Sequence, residues 1–109
     1  MNGWGAPKTA SERSTADCDL IAAPGAEQNL LISTINCDVT VAEGSKVVIV
    51  AAGTLELAQF SLGTAGSMPC KIFDPPVSIP ENTKLTANTS GTTGEFLIVV
   101  GYYEAYIET

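Results

Sequence analysis

Apolar and polar residues alternate in short segments along most of the chain, and turn-forming residues separate these segments. Gly, Pro, Asn and Asp recur between them at intervals of about ten residues. No segment has the apolar period of a long amphipathic helix. The pattern therefore predicts an all-β protein, an antiparallel β-sandwich of roughly seven or eight short strands. We expect a jelly-roll topology, with an immunoglobulin-like sandwich as the alternative.

The longest apolar segment is EFLIVVGYYEAYI, residues 95–107. Its residues are apolar at odd and even positions alike from Phe96 to Val100, so both faces of this strand should be covered. The sequence thus predicts a strand at the centre of a sheet. Gly101 interrupts the segment and predicts a bulge or a bend.

Turn residues assign three further segments. Residues 37–41 and 46–52 flank the turn AEGS and are predicted to pair as a hairpin. Residues 55–62 predict a bulged strand, with a short helical turn as the alternative. Pro75-Pro76 removes two backbone donors, which predicts a sheet edge or a loop at that point.

The first sixteen residues differ in composition from the rest of the chain. Residues 1–16 are rich in Gly, Pro, Ser, Thr and Ala and carry a net charge of +1, whereas residues 17–109 carry −8. We therefore expect an extended or flexible N-terminal arm over 1–16 and a β-sandwich domain over 17–109. Trp4 in this arm either packs on its own domain or anchors a neighbouring subunit.

Charge and hydropathy restrict the classes of partner. The net charge is −7 and the five basic residues are scattered, so no nucleic-acid partner is expected. No apolar run approaches the roughly 20 residues that span a bilayer, and no leader peptide is visible, so no membrane partner is expected. Charged residues make up only 16% of a chain that is 45% hydrophobic, which indicates surface hidden in an oligomer.

The residues that most enzymes need are missing or scattered. The chain has no histidine, which excludes a Ser-His-Asp or Cys-His arrangement and the metal sites of histidine-dependent cupins. We predict no catalytic residue, no cofactor and no metal site, and the protein is not expected to be an enzyme. Four residues carry oxygen atoms that suit calcium if the ends of the first strands meet, although solvated strand ends are the preferred interpretation: Asp17, Asp19, Asn36 and Asp38.

Two groups of side chains remain open to alternative interpretations. The three cysteines are expected to be reduced thiols, with a Cys18–Cys37 disulfide as the alternative. The tyrosines at the end of the last strand are expected at the core rim or a subunit contact, with a sugar-stacking or partner-binding platform as the alternative. They are Tyr102, Tyr103 and Tyr106.

The order of the segments resembles that of small all-β structural proteins of tailed bacteriophages, the decoration or cement proteins of capsids and related virion jelly rolls. The resemblance lies in LLISTINCDVTVAEGSKVVIVAAGTLELAQFSLGTAG followed by VSIPENTKLTANTSGTTGEFLIVVGYY, and it covers roughly residues 17–107. No single residue carries it. It is a match of strand rhythm and turn composition.

The resemblance implies a homotrimer that is made in the host cytoplasm and stabilises a virion on the capsid surface. Its partners would be the major capsid protein and other copies of itself. On this hypothesis the arm reaches a neighbouring subunit or the shell through Trp4, Lys8 and Arg13. A carbohydrate- or receptor-binding module of a phage tail or fibre is the alternative, and it requires an exposed aromatic platform.

Overall fold

The structure, a computed structural model, describes residues 3–42, 47–63, 66, 69–89 and 94–106. All regular secondary structure in these residues is β. No helix in these ranges is long and apolar enough to cross a membrane. The strands are β1 Gly3–Trp4, β2 Lys8–Ser14, β3 Cys18–Ile21, β4 Gln28–Val41, β5 Val47–Ala52, β6 Leu55–Ser61, β7 Cys70–Ser78, β8 Leu85–Thr89 and β9 Glu95–Tyr106.

The strands form two antiparallel sheets that pack face to face. The front sheet has the order β2-β9-β4-β7, and β1 continues the line of β2 along the same edge of β9. The back sheet has the order β3-β8-β5-β6. An antiparallel β-sandwich is therefore confirmed.

The strand pairs are nested in the sequence. The innermost pair is the hairpin β5·β6, and three pairs enclose it in turn: β4·β7, β3·β8 and β2·β9. A long hairpin whose nested pairs fall alternately into two sheets is a jelly roll, so the preferred topology is the one observed.

The core lies between the inner faces of the two sheets. On β9 the inward residues Phe96, Ile98 and Val100 are fully buried, and on β4 Ile35 and Val39 are equally buried. These residues alternate with outward ones because successive side chains of a strand point to opposite faces. β9 lies between β2 and β4, so its predicted central position is confirmed.

The predicted hairpin of residues 37–41 with 46–52 is wrong. Residues 37–41 continue β4, which lies in the front sheet, whereas β5 lies in the back sheet and pairs with β6 and β8. The connection between them leads from one sheet to the other, and residues 43–45 of the predicted turn, with residue 46 of the predicted strand, lie outside the described residues. A Gly-containing turn allows a hairpin, but it also allows a crossing connection of similar length.

Two other predictions are confirmed. Residues 55–61 form strand β6 rather than a helical turn, with a register shift opposite Val50 and Ala51 that makes it a bulged strand. Pro75 and Pro76 lie in β7, which is an edge strand of the front sheet. A proline at an edge removes no hydrogen bond from the interior of the sheet.

The N-terminal residues are built into the front sheet. β2 pairs with β9 over all seven of its residues, from Lys8 opposite Tyr102 to Ser14 opposite Phe96. An extended or flexible arm was predicted here, and in the structure this part of it is a strand paired with β9. The proposed boundary at residue 16 falls between β2 and β3, and the independence of the two parts stays a prediction.

The edges of the two sheets differ in their protection. β7 carries two prolines and has Lys71 next to Phe73, with the Lys71 Nζ 6.0 Å from the ring centre. Prolines and lysines at an edge discourage the addition of a foreign strand. The seven residues of β6 contain neither proline nor lysine.

Candidate interaction surface

The described residues contain no group of three or more His, Cys, Asp or Glu side chains that could hold a metal ion. The four candidate calcium ligands are separated as well. Asp17 and Asp19 border a groove beside the back sheet, whereas Asn36 and Asp38 lie on β4 of the front sheet. The structure does not bring these four residues together, so the candidate functional features are surfaces.

The front sheet has an apolar strip along the centre of its outer face. Leu97 and Val99 alternate with the buried residues of β9, so their side chains point outward, and both are half-buried. They line a groove of about 310 Å³ together with Asn36, Cys37 and Asp38. We call the outward side chains of Asn36, Asp38, Leu97 and Val99 the outer patch.

Strand register places a polar residue on each side of both apolar residues. Leu97 lies between Asp38 of β4 and Arg13 of β2. Val99 lies between Asn36 of β4 and Ser11 of β2. Directly opposed residues of antiparallel strands project from the same face, so each row of three is exposed on one side of the sheet.

Ile72 on β7 extends this face toward the edge. Its exposed fraction is 68%, more than that of any other large hydrophobic residue described. It is paired with Thr34, which is paired in turn with Gly101. Cys70, which lies on β7 opposite Asn36 of β4, is also exposed. The outward side chains of β4, Thr34 and Asn36, lie between Ile72 and Val99, so Ile72 is a separate apolar site on the same face.

A polar group joins three strands at one end of the outer patch. Glu95 of β9 accepts a hydrogen bond of 2.7 Å from the Thr40 hydroxyl and an ion-paired hydrogen bond of 3.1 Å from Arg13. These hydrogen bonds, with the positive charge of Arg13, hold the pKa of the Glu95 carboxyl below its usual value. Arg13 is therefore fixed beside the patch.

The predicted arm residues bind the domain of their own chain. Lys8 forms a 3.1 Å ion pair with Glu104 of β9, and Arg13 forms the pair with Glu95. The side chain of Trp4 lies outside the described part of the structure, and its backbone pairs with Ala105. Contacts of these residues with another subunit remain a prediction.

The predicted tyrosine group is divided between two faces of β9. Tyr102 is opposite the buried Ile32 and packs against the core, whereas Tyr103 is opposite Leu31 on the outer face. The side chain of Tyr106 is not among those described. Adjacent strand residues point in opposite directions, so Tyr102 and Tyr103 do not form one platform.

The back sheet has a polar groove on the side of β3 and β8. Its volume is about 590 Å³. Within it Lys84 forms a 3.2 Å ion pair with Asp19, and Asp17 accepts a 2.7 Å hydrogen bond from the Thr89 backbone N–H. Thr83, Thr86 and Asn88 complete the polar lining. These groups donate and accept hydrogen bonds but include no aromatic ring.

The three cysteines are free thiols. Cys37 points into the core, and burial raises the pKa of its thiol to about 11. Burial also raises the pKa of Cys18, which is half-buried in the back sheet. Cys18 and Cys37 lie in opposite sheets, and the alternative disulfide between them is not formed.

Sequence reasoning missed the outer patch, although a signal for it was present. The continuous apolar run of β9 predicted that Leu97 and Val99 are covered like their inward neighbours, yet they are only half-buried and face outward. A strand that is apolar on both faces, in a two-sheet fold without helices, leaves one apolar face outside. The apolar residues on both faces of β9 were therefore a signal for a contact surface.

Comparisons with known proteins place the chain in no family. No family model matches the sequence, and no curated protein matches it. Among solved structures, a chain of the Bacillus endospore appendages, described as a novel family of disulfide-linked pili, has a TM-score of 0.36 and 13% sequence identity. The alignment covers 100% of this chain and 92% of that chain. A likeness at this level carries no argument about function.

Proposed function

We propose that this protein is a non-enzymatic structural protein that binds to the surface of a larger protein particle. The observation that carries the proposal is the apolar exposure on the outer face of the front sheet, where Ile72 has an exposed fraction of 68% and Leu97 and Val99 are half-buried. Single exposed apolar residues are ordinary, but apolar residues grouped on one face and bordered by polar residues are typical of a binding surface.

The proposed particle is a bacteriophage capsid, with the major capsid protein as the partner and the virion surface as the location. Two considerations support this choice. The sequence resembles capsid decoration proteins over roughly residues 17–107, and the jelly roll is a fold that viral capsid proteins use. Ile72 is the most exposed large hydrophobic residue described, so the β7 side of the face is the better candidate for the capsid contact.

Rebinding to particles tests the proposal. Particles sedimented from a culture of the source organism are probed with an antibody against the purified protein, stripped of it by mild denaturant, and mixed again with purified protein. We expect the protein to sediment with the particles before stripping and to rebind afterwards. Absence from the particles, or failure to rebind, would overturn the proposal.

A matched pair of variants locates the contact. Ile72→Asp places a charge on the exposed outer face of β7 and is expected to weaken rebinding at least about tenfold. Leu55→Asp changes a residue that is 40% exposed in the back sheet and should leave rebinding unchanged. Equal effects of the two variants would argue against the front sheet as the contact.

A carbohydrate- or receptor-binding module is the second candidate function. It is favoured by the polar groove beside β3 and β8, where carboxylate, amide, hydroxyl and ammonium groups converge on about 590 Å³. Such groups suit the hydroxyls of a sugar, although no aromatic ring lines the groove for stacking. Binding in a glycan screen that Asn88→Ala abolishes would favour this function over the first.

A further inference from the structure

The outer patch has opposite charges on its two sides. In one row Asp38 lies on one side of Leu97 and Arg13 on the other, each one strand away. Asp38 makes no ion pair among the described residues, whereas Arg13 is 57% exposed and holds Glu95. The row therefore runs across the sheet from an unpaired acid in the patch, through its apolar centre, to an accessible base beside it.

From this arrangement we infer that the outer patch is a self-complementary surface and that its partner is a second copy of this chain. A two-fold axis that runs along β9 turns one front sheet over onto the other. β4 of each copy then faces β2 of the other, and β9 faces β9. Asp38 of one copy meets Arg13 of the second copy, and the two Leu97 side chains meet at the axis.

The second row fits the same operation. Val99 meets Val99 at the axis, and Asn36 of one copy faces Ser11 of the other, which pairs an amide with a hydroxyl. Two sheets stacked face to face at about 10 Å, with strands nearly aligned, are an ordinary packing arrangement. The proposed contact requires no change in the backbone conformation of the patch strands.

Glu95 is the residue that limits the proposed contact. The axis brings the two Glu95 carboxylates toward each other, which is unfavourable for like charges. Each is already bound by Arg13 and Thr40 of its own chain. Arg13 in the dimer lies between Glu95 of its own copy and Asp38 of the second copy, so positive charge separates the acids.

The size of the contact indicates a weak dimer. Three strands at a spacing of about 4.8 Å and seven residues at about 3.4 Å each give a face of roughly 14 by 24 Å, or about 700 Å² for the two copies together. Stable dimers bury about 1,200 Å² or more. We therefore expect a reversible dimer in concentrated solution, and a more complete one where a particle holds copies close together.

The inference concerns the same outer face as the proposed function, and it assigns Leu97 and Val99 to the dimer. Ile72 lies two strands from the axis on the β7 side, beyond the reach of β2 of the second copy, so it stays available to a particle. The number of copies also differs from the homotrimer implied by the sequence resemblance. Self-association and particle binding can thus be tested separately.

A charge exchange between two variants tests the register of the contact. Asp38→Arg alone places arginine opposite arginine, and Arg13→Asp alone places aspartate opposite aspartate. In a mixture, a dimer of one variant with the other restores both opposite-charge pairs. We expect each variant alone to dimerise at least about tenfold more weakly than wild type, and the mixture to recover dimerisation.

Sedimentation equilibrium of the full chain over a wide concentration range is the measurement. Leu97→Asp should give a monomer at every concentration, and Leu55→Asp on the back sheet should behave as wild type. The urea midpoint of each variant verifies that it is folded. A wild-type chain that stays monomeric, a trimer, or a mixture no more dimeric than its components would each overturn the inference.

Failure of this inference is distinguishable from failure of the proposed function. A protein that rebinds particles but stays monomeric contradicts only the dimer. A protein that dimerises with the predicted charge pattern but does not bind particles contradicts only the particle. Ile72→Asp is expected to keep the dimer while it weakens rebinding, and Leu97→Asp removes the dimer.

Discussion

Gly101 makes room for two hydroxyl groups of the neighbouring strand. A Cβ at this position would lie 2.7 Å from the Thr34 hydroxyl oxygen and 3.1 Å from that of Ser33. The Ser33 hydroxyl donates a 2.9 Å hydrogen bond to the Gly101 carbonyl, and the register of β4 shifts between Ile32 and Thr34. The irregularity predicted at Gly101 is therefore a bulge in the partner strand, and glycine accommodates it.

Gly101→Ala should destabilise the protein because its methyl group has no space. We expect the free energy of unfolding to fall by about 1–3 kcal/mol, the usual effect of overpacking. Urea denaturation followed by circular dichroism measures it. Thr34→Ala in the same chain removes the closer hydroxyl and should recover part of the loss. Unchanged stability of Gly101→Ala would contradict the close approach.

Glu95 gives the protein an acid-sensitive contribution to stability. Hydrogen bonds from Thr40 and Arg13 lower its pKa in the folded state, so the folded state favours the charged form. The resulting stability is present above the unfolded value, near 4.5, and is lost as pH falls through the folded pKa. Wild type should exceed Glu95→Gln in stability at neutral pH, and the difference should shrink in acid.

Urea unfolding of both proteins across this pH range measures the difference. Glu56→Gln, in the exposed part of β6, is the control, because it removes a carboxylate outside the group of Thr40, Arg13 and Glu95. A gap between wild type and Glu95→Gln that stays constant down to the lowest pH would contradict the role of the charged carboxylate.

At the scale of strands, β2 is tied to the front sheet by its backbone more than by its side chains. Five of its seven residues are exposed, and its two ion pairs join exposed or half-exposed groups. Exposed ion pairs contribute little to stability, whereas each hydrogen bond of a ladder contributes roughly 1 kcal/mol. The pairing with β9 should therefore be the main contribution of β2.

Removal of residues 1–16 tests that expectation. We expect the free energy of unfolding to fall by roughly 3 kcal/mol. The ladder contains several hydrogen bonds, and each makes a net contribution of roughly 1 kcal/mol. Lys8→Gln with Arg13→Gln is the control, since it keeps the ladder and removes both ion pairs, and it should lose less than about 1 kcal/mol. A truncated chain as stable as the full one would support an independent arm.

The strands themselves were predictable, but several of their partners were not. Period-two alternation and turn residues indicated β6, β9 and the edge position of Pro75-Pro76, because those features depend on local sequence. The hairpin of residues 37–52 was wrong because alternation says which face of a strand is buried and not which sheet receives it. β2 was unpredicted as a paired strand because its residues bury almost nothing.

The outer patch depends on pairings that the sequence does not reveal. Asp38, Leu97 and Arg13 are far apart in the chain and become one row only through the pairing of β4 and β2 with β9. The apolar character of β9 was evident from its local sequence. The charges on either side of it followed from register, which no local pattern specifies.

For the whole molecule, the nested strand pairs suggest an order of folding. The β5·β6 hairpin closes a short loop, whereas β2 and β9 join opposite ends of the described chain. Closing the long loops costs more entropy until the inner pairs have formed. We therefore expect the inner hairpin to be formed in the folding transition state and β2 to dock after it.

Two matched substitutions of alanine by glycine test this order. Ala58→Gly weakens β6, which is expected to form early, and should mainly slow folding. Ala10→Gly weakens β2, which is expected to dock late, and should mainly speed unfolding. Stopped-flow circular dichroism in urea gives both rates. The reverse assignment, with Ala10→Gly slowing folding, would place β2 in the folding nucleus.

Among the described strands β6 pairs only with β5, and this open edge has a consequence for the purified protein. Its seven residues contain no proline or lysine, so its outward backbone groups are a template on which fibrils can grow, strand upon strand. Glu56 and the net charge of −7 oppose this by repulsion between identical molecules. Salt shortens the range of that repulsion, and acidification toward the isoelectric point near 4.2 abolishes it. Storage at low ionic strength and neutral pH should therefore preserve the soluble form.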